Sequence, residues 1–509
     1  MATSPQALDV LTLTATAAQE LLQDGKVNSV QLVEAYLAQI QAHNHTGLYL
    51  NALISITPKE TLVATAHRLD EERTSGRTRS PLHGIPFVVK DVFTTHPSLG
   101  LPTTAGSPCF AAAEAKRTAP LIEHLLDMGM ILLGKANLTE FCGLKMKGLT
   151  PGWSPMGGQT QSPYIFGGLE PDEKLIGHSS IGGSSSGSAS AVAAGFAPLS
   201  IGTECCGSLI TPANRAGLYA LKCGLGEVNA AGSFGYTDCL DCIGGMAKSA
   251  ADLAVFTAAL MQRTEPFDSS GGFTGLSVAF TSVKEWRLPD EICAWPRDTR
   301  EQMETGYASA ITRMKELGAK VTENANISIA WDIFKTEDGK SHFYEIAFYQ
   351  LYNKYLPAFL DEFSSSEVRS LEDIIAYNEQ HSDVCMPPDH PEQGELHDLL
   401  ANTRKREDID AMIPEMQRRG KSALDKLLEA HDVVVALADS PLVMYSAAAG
   451  CPIACLSLGT VKYSELNERP YGLCVTAPKG REDLLLRFLA ACEAAFAPRP
   501  LPRPLLQST

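Results

Sequence analysis

Residues 182–208 are the most informative part of this chain and read GGSSSGSASAVAAGFAPLSIGTECCGS. Two loops rich in glycine and serine, 182–188 and 202–208, enclose a predicted small-residue helix at 189–197 and a predicted apolar strand at 199–202. Loops that are pinned between buried elements often carry the chemistry of a protein. We therefore predict a functional site at these two loops.

The composition of the two loops suits nucleophilic catalysis. Glycine allows the backbone to approach a ligand closely and to point successive N–H groups at one spot, as an oxyanion hole requires. Serine supplies a nucleophilic hydroxyl, but it needs a base to accept its proton. Either loop alone is explained equally well as a flexible turn, so the interpretation depends on a base elsewhere in the chain.

On either side of these loops the sequence alternates strands with helices, which predicts an α/β fold. Further strands are predicted at 51–56, 87–89, 130–133 and 433–437. Further helices are predicted after an N-cap at Ser29 and at 59–73, 118–129, 298–317 and 481–496. We find no internal repeat and no convincing linker, so we expect one domain over residues 1–509, although this length would allow two or three.

The bulk composition excludes several classes of protein. A net charge of −17 disfavours general binding of nucleic acid, which requires a basic surface. The chain contains no apolar run of membrane-spanning length and no secretory leader pattern, so we expect no membrane contact. Its 13 cysteines are scattered without a regular framework, which is typical of free thiols in a reducing compartment. A cytoplasmic location is the resulting expectation.

Several ordered motifs, taken together with the two loops, resemble the amidase signature family. Lys90 ends a strand that follows Gly-Ile-Pro at 84–86, and the two loops are similar to the family's Gly-Gly-Ser-Ser and Gly-Ser elements. Residues 133–141 read LGKANLTEF, residues 217–222 read GLYALK and residues 449–454 read AGCPIA, each similar to a family motif. The resemblance covers most of residues 1–262 and, weakly, residues 430–496.

The resemblance implies an architecture. The family's fold is a large central sheet, mixed but mostly parallel, with helices on both faces. The signature core would occupy about residues 80–262, and the chain would return to the sheet at 430–496. The unmatched residues 263–440, together with the loop at 148–180, would shape the substrate pocket.

The resemblance also implies roles for individual residues. Ser208 would attack an amide carbonyl, and Ser184, which the family holds behind a cis peptide bond, would pass the proton to Lys90. Lys90 must then be neutral, so burial has to lower its pKa. The backbone of Cys205, Cys206 and Gly207 would bind the oxyanion, and the supporting residues would be Asp91, Thr203 and Glu204.

Residues 204–210 depart from the family pattern. The family usually shows Asp-x-Gly-Gly-Ser-x-Arg, whereas this chain has Glu-Cys-Cys-Gly-Ser-Leu-Ile. Cys206 therefore replaces a glycine of the oxyanion loop, and Ile210 replaces an arginine that would pair with the acidic residue. We expect a narrower or differently shaped oxyanion hole. Because both serines and the lysine are intact, we still predict an active enzyme.

Other interpretations of single motifs remain open. Residues 183–187 also fit Gly-x-Ser-x-Gly, in which Ser185 would be the nucleophile of an α/β-hydrolase. Cys205 and Cys206 are either nucleophilic thiols or small apolar fillers. The lone Cys-x-x-Cys at 239–242 is a weak zinc signal. Residues 383–397, which contain His390 and an acidic cluster with His397, are either a metal site or, as we expect, a solvated surface excursion.

The predicted function is hydrolysis of a small-molecule amide through an acyl-serine intermediate, and no metal or organic cofactor is implied. A biosynthetic acyl transferase or cyclase would use the same intermediate. A non-catalytic member of a transamidation complex is a third alternative, which the complete triad and the lack of a basic patch disfavour. A homodimer is considered, and neither nucleic acid nor membrane is expected as a partner.

Overall fold

The computed structural model describes residues 8–171, 173, 175–290, 292–293, 296–325 and 331–507. In this part of the chain, eleven strands form one large sheet. In chain order they are β1 Leu53–Ile56, β2 Pro86–Lys90, β3 Ile131–Ala136, β4 Leu199–Glu204, β5 Tyr219–Lys222, β6 Cys242–Ala247, β7 Ser277–Thr281, β8 Lys320–Ala325, β9 Val433–Leu437, β10 Ile453–Lys462 and β11 Glu468–Thr476.

The helices alternate with these strands along the chain, as the sequence predicts. They are α1 Ala15–Gln23, α2 Ser29–His43, α3 Lys59–Thr74, α4 Pro120–Asp127, α5 Ser186–Ala193, α6 Ile210–Arg215, α7 Ala250–Leu260, α8 Arg297–Glu316, α9 His342–Gln350, α10 Leu356–Asp361, α11 Leu371–Gln380, α12 Ser382–Cys385, α13 Gly394–Leu400, α14 Arg406–Leu428, α15 Leu442–Ala449, α16 Glu482–Ala495 and α17 Arg503–Gln507.

The N-cap of α2 differs by one residue from the prediction. Asn28, not Ser29, caps the helix, because its side chain accepts a hydrogen bond from the Gln31 N–H. The N–H of Ser29 donates instead to the Asp70 carboxylate at 2.8 Å. A short asparagine side chain is an equally good N-cap, so the sequence alone did not distinguish the two positions.

The sheet is mixed and flanked by helices, as predicted, but the expectation of mostly parallel pairing is wrong. The strand order is β1-β3-β2-β4-β6-β5-β10-β11-β9-β7-β8. Among the described strands, four pairs are parallel and lie toward the two ends of the sheet, and the other six are antiparallel.

The physical reason for this error is that two strands carry residues that disfavour strands. Strand β6 reads CIGGMA, with two glycines, and β11 contains Pro470. Both lie between two antiparallel neighbours, so these two strands make four of the six antiparallel pairs in the described sheet.

Helices pack on both faces of the sheet because its central strands are apolar on both sides. In β9, Val433 and Val435 belong to one hydrophobic cluster, while Val434 and Ala436 belong to another. Helices α7 and α16 contribute to the first cluster, and α14 and α15 contribute to the second. Each buried valine or leucine stabilises this arrangement by roughly 1.5–3 kcal/mol. Among the described helices, none combines the length and apolar character that a membrane span needs.

Candidate active site

Lys90 lies at the end of β2, and its side chain is fully buried. Its Nζ is 2.7 Å from Ser184 Oγ and 3.0 Å from Thr203 Oγ1. Burial lowers the pKa of this amine below its ordinary value of 10.5, because the charged form loses its hydration. The environment therefore favours a neutral amine that is hydrogen-bonded to a serine hydroxyl.

Ser184 is presented by the first glycine- and serine-rich loop, just before α5. The peptide bond between Gly183 and Ser184 is cis, in agreement with the resemblance. The Ser184 carbonyl accepts a hydrogen bond from the Thr139 N–H at 3.1 Å. In the next residue, the Ser185 N–H donates to the Ser208 carbonyl at 2.9 Å, so the two loops are joined directly.

Ser208 lies in the turn between β4 and α6. The buried Glu204 carboxylate accepts hydrogen bonds from the Leu209 and Ile210 N–H groups at 2.8 and 2.9 Å. Glu204 thus holds the start of α6 through backbone contacts, although Ile210 offers it no salt bridge. In the described part of the chain, no backbone hydrogen bond uses the N–H groups of residues 206–208. These groups are available to bind an oxyanion.

Gly207 is required by the geometry of this turn. Its φ is +85°, a left-handed conformation that residues with a side chain rarely adopt. A Cβ at this position would also lie 3.2 Å from Thr211 Oγ1. The neighbouring Cys206, which replaces a glycine of the family pattern, adds a side chain to the wall of the same site.

Two cavities meet at the serines. The larger has a volume of about 400 Å³ and the smaller about 190 Å³. Both are lined by Ser184, Ser208 and Cys205. The larger cavity takes wall residues from the loop at 148–180 and from the segment 263–440, the two regions expected to shape a substrate pocket. A substrate bound across the serines would have one part in each cavity.

Asp91 lies apart from the other predicted site residues. Consecutive residues of an extended strand point to opposite sides, so Asp91 faces away from Lys90. Its carboxylate accepts a hydrogen bond from the Thr104 N–H at 3.1 Å and lies 3.4 Å from Lys135 Nζ. Asp91 therefore secures the segment after β2 and supports the position of Lys90 only through the backbone. Thr203, in contrast, contacts the Lys90 amine directly.

The competing nucleophiles are poorly placed. The fully buried Ser185 hydroxyl donates to the Thr203 carbonyl at 3.1 Å, and the segment before it is not a strand, contrary to the α/β-hydrolase pattern. Burial raises the pKa of Cys206 to about 12, and it raises the pKa of Cys205 well above its ordinary value. Protonated thiols are weak nucleophiles, so both cysteines suit the wall of the site better than its chemistry.

The segment 383–397 is not a simple surface excursion. Cys385, His390 and Glu395 are buried, and the His390 ring lies against Trp153 with centroids 4.0 Å apart. Among the described residues, no group of three or more His, Cys, Asp or Glu side chains is arranged to hold a metal ion. All 13 cysteines, including Cys239 and Cys242, are free.

Sequence reasoning missed several residues that line the cavities. Tyr236 and Cys142 face both of them, and Glu395 faces the larger one. Phe343 and Tyr344 of α9 also line the larger cavity. No local pattern marked these positions, because what they share is a place in space reached from distant parts of the chain.

Comparison with known proteins agrees with this geometry. The family described as Amidase matches residues 31–486. A Schizosaccharomyces pombe protein named a putative amidase is 26% identical over 515 residues, covering 93% of this chain and 84% of that protein. One component of the glutamyl-tRNA(Gln) amidotransferase of Chloroflexus aurantiacus is 41% identical, but over only 48% of this chain and 45% of its own length.

A solved structure extends the similarity to the whole fold. Native peptide amidase from Stenotrophomonas maltophilia superposes with a TM-score of 0.80 and 27% sequence identity. The superposition covers 96% of this chain and 98% of that enzyme. The similarity therefore includes the middle region that sequence motifs alone left unmatched.

Proposed function

Because this chain belongs to the amidase family of amide hydrolases, we propose that it hydrolyses a small-molecule amide through an acyl-Ser208 intermediate. Ser208 is the nucleophile, Ser184 relays the proton and Lys90 is the base. The observation that carries this proposal is the 2.7 Å hydrogen bond between the buried Lys90 amine and Ser184, beside a cavity that Ser184 and Ser208 both line.

The first half of the reaction forms an ester and releases an amine. Ser208 Oγ attacks the amide carbonyl while its proton moves to Ser184 and the Ser184 proton moves to Lys90 Nζ. The carbonyl oxygen becomes an oxyanion, which accepts hydrogen bonds from the N–H groups of residues 206–208; one such donor typically contributes about 3–4 kcal/mol to lowering the barrier. Collapse breaks the C–N bond, and the proton returns through Ser184 to the leaving amine.

The second half releases the acid. A water molecule attacks the acyl-Ser208 carbonyl, and the same relay accepts a proton from it. The second tetrahedral intermediate collapses, its C–O bond to Ser208 breaks, and Ser208 recovers a proton. The thiol of Cys206 narrows the loop beside the oxyanion but takes no part in proton transfer.

The acyl-enzyme can be tested by partitioning. The protein is incubated with a panel of primary, aliphatic and aryl amides of one acid, with hydroxylamine as a competing nucleophile. An acyl-enzyme common to all substrates gives the same ratio of hydroxamate to acid whatever the leaving amine. A ratio that changes with the leaving group would contradict the intermediate. Mass analysis of the products also separates hydrolysis from acyl transfer or cyclisation.

The pH dependence of the reaction should show one limb from Lys90. Because only the neutral amine accepts a proton, kcat/KM should rise with pH up to the lysine's pKa in the folded protein and level off above it. Burial places this pKa below the ordinary value of 10.5. Initial rates across a buffered pH series measure the limb, and a kcat/KM independent of acidification would contradict a neutral lysine base.

Replacing Cys206 by glycine should preserve or raise turnover of simple amides. The substitution restores the family's residue and removes a side chain that crowds the oxyanion loop, while Ser208 and Lys90 stay in place. Cys206→Ala is the matched control because it removes the thiol but keeps the Cβ. Steady-state kinetics on one primary amide compare the three proteins. Complete loss of activity in both folded variants would indicate a thiol mechanism instead.

A further inference from the structure

Glu395 is a buried acidic residue in the wall of the larger cavity. It lies in the first turn of α13, and only 8% of the residue is accessible to solvent. In the described part of the chain, its buried Oε2 has no hydrogen-bond partner. It lines the same cavity of about 400 Å³ as Ser184 and Ser208. A buried carboxylate oxygen without a partner is costly, so a ligand that supplies one would be bound favourably.

The segment that carries Glu395 is held in place before any ligand arrives. The Glu395 N–H donates to the Lys145 carbonyl at 3.1 Å. Two residues earlier, the buried Gln393 side chain accepts from Asn378 at 2.9 Å and donates to the Ile375 carbonyl at 3.2 Å. Because this carboxylate needs no reordering to meet a substrate, little affinity is lost on binding.

The charges around Glu395 favour a cation. The exposed carboxylates of Glu392 and Asp398 lie nearby, and the cation that interacts with Glu395 is the exposed Lys147. Burial and Asp398 raise the pKa of Glu395 to about 7. A positively charged group in the cavity would stabilise the ionised carboxylate, whereas a second anion would be repelled.

The rest of the larger cavity is suited to an apolar body. Leu149 and Phe343 form buried parts of its wall, and Ile176 is partly buried. At its edge, Leu175 and Tyr344 are 39% and 52% exposed, which is unusual for large apolar side chains in one place. The smaller cavity, about 190 Å³, leaves room for only a compact leaving amine.

Resting on the proposed function, we propose that Glu395 selects amides whose apolar acyl part carries a positively charged ammonium group. The acyl part occupies the larger cavity, with its carbonyl at Ser208 and its ammonium group paired with the Glu395 carboxylate. Glu395 is thus a specificity residue for the substrate and takes no part in bond cleavage.

The test uses paired primary amides of linear acids of increasing length, each ending either in an ammonium or in a methyl group. At the best length, the wild-type protein should prefer the ammonium amide by roughly 10- to 100-fold in kcat/KM, as expected for a buried charge-assisted contact. In Glu395→Gln, an isosteric change, this ratio should fall to near one. The matched control Glu392→Gln, at an exposed neighbouring carboxylate, should change the ratio less than about twofold.

Binding is measured separately by calorimetry on Ser208→Ala, which cannot form the acyl-enzyme, with and without Glu395→Gln. Tighter binding of the ammonium series that disappears with Glu395→Gln supports the inference even if turnover is slow. Hydrolysis without preference between the two series, or a preference retained in Glu395→Gln, overturns the inference and leaves the proposed function intact. Binding of amides that the wild-type protein never cleaves overturns the proposed function instead, and failure to bind either series overturns both.

Discussion

Ser208→Ala is expected to lower kcat for amide hydrolysis by a factor on the order of 10⁴ or more, since removal of a serine nucleophile leaves only oxyanion binding and positioning. The residue is partly exposed in the wall of the cavity, and the turn around it is held by Glu204 through the backbone. The variant should therefore keep its fold. Ammonia release from a primary amide measures the loss, and thermal unfolding checks the fold.

Ser185→Ala is the matched control for this prediction. It removes the other candidate serine, whose hydroxyl bonds to the backbone of Thr203. Loss of these hydrogen bonds should cost about 1 kcal/mol of stability and less than about tenfold in activity. The opposite pattern, with Ser185→Ala inactive and Ser208→Ala active, would identify Ser185 as the nucleophile.

Lys90→Ala is expected to reduce turnover at least about 10²-fold, the usual contribution of a positioned general base. The Ser184 hydroxyl would lose the amine that lies 2.7 Å away, so nothing would accept the proton from the serine relay. Both kcat and the rate of acylation should fall. Single-turnover kinetics on an ester and an amide of the same acid measure the acylation step directly.

A second variant separates the chemical role of Lys90 from its packing. Lys90→Met fills nearly the same volume in this fully buried position but carries no base. It should be as inactive as Lys90→Ala and more stable to heat, because it leaves no cavity. Retained turnover above about 10% of wild type in either folded variant would mean that another group is the base.

The sequence was most informative where function depends on local conformation. The glycine at 207 and the serines at 184 and 208 lie on loops that the glycine pattern marked directly. The strand before Lys90 was predicted at 87–89, and the structure has it at Pro86–Lys90. These features depend on near neighbours in the chain, so a single sequence contains the necessary signal.

The sequence was least informative where a residue's role depends on distant partners. Strand β6, with its two glycines, becomes a strand because β4 and β5 pair with it on both sides. Glu395 belongs to a segment rich in acidic residues and proline, and nothing local shows that it is turned into the cavity. The predictions of a single domain, a homodimer and a cytoplasmic location stay predictions.

The proposed mechanism depends on a covalent intermediate at one serine. A fluorophosphonate probe reacts with an activated serine, and peptide mapping by mass spectrometry then identifies the labelled residue. We predict a single stoichiometric adduct on Ser208, slowed strongly in Lys90→Ala and absent in Ser208→Ala. An adduct on Ser185, Cys205 or Cys206, or amide hydrolysis that continues while Ser208 is fully labelled, would contradict this mechanism.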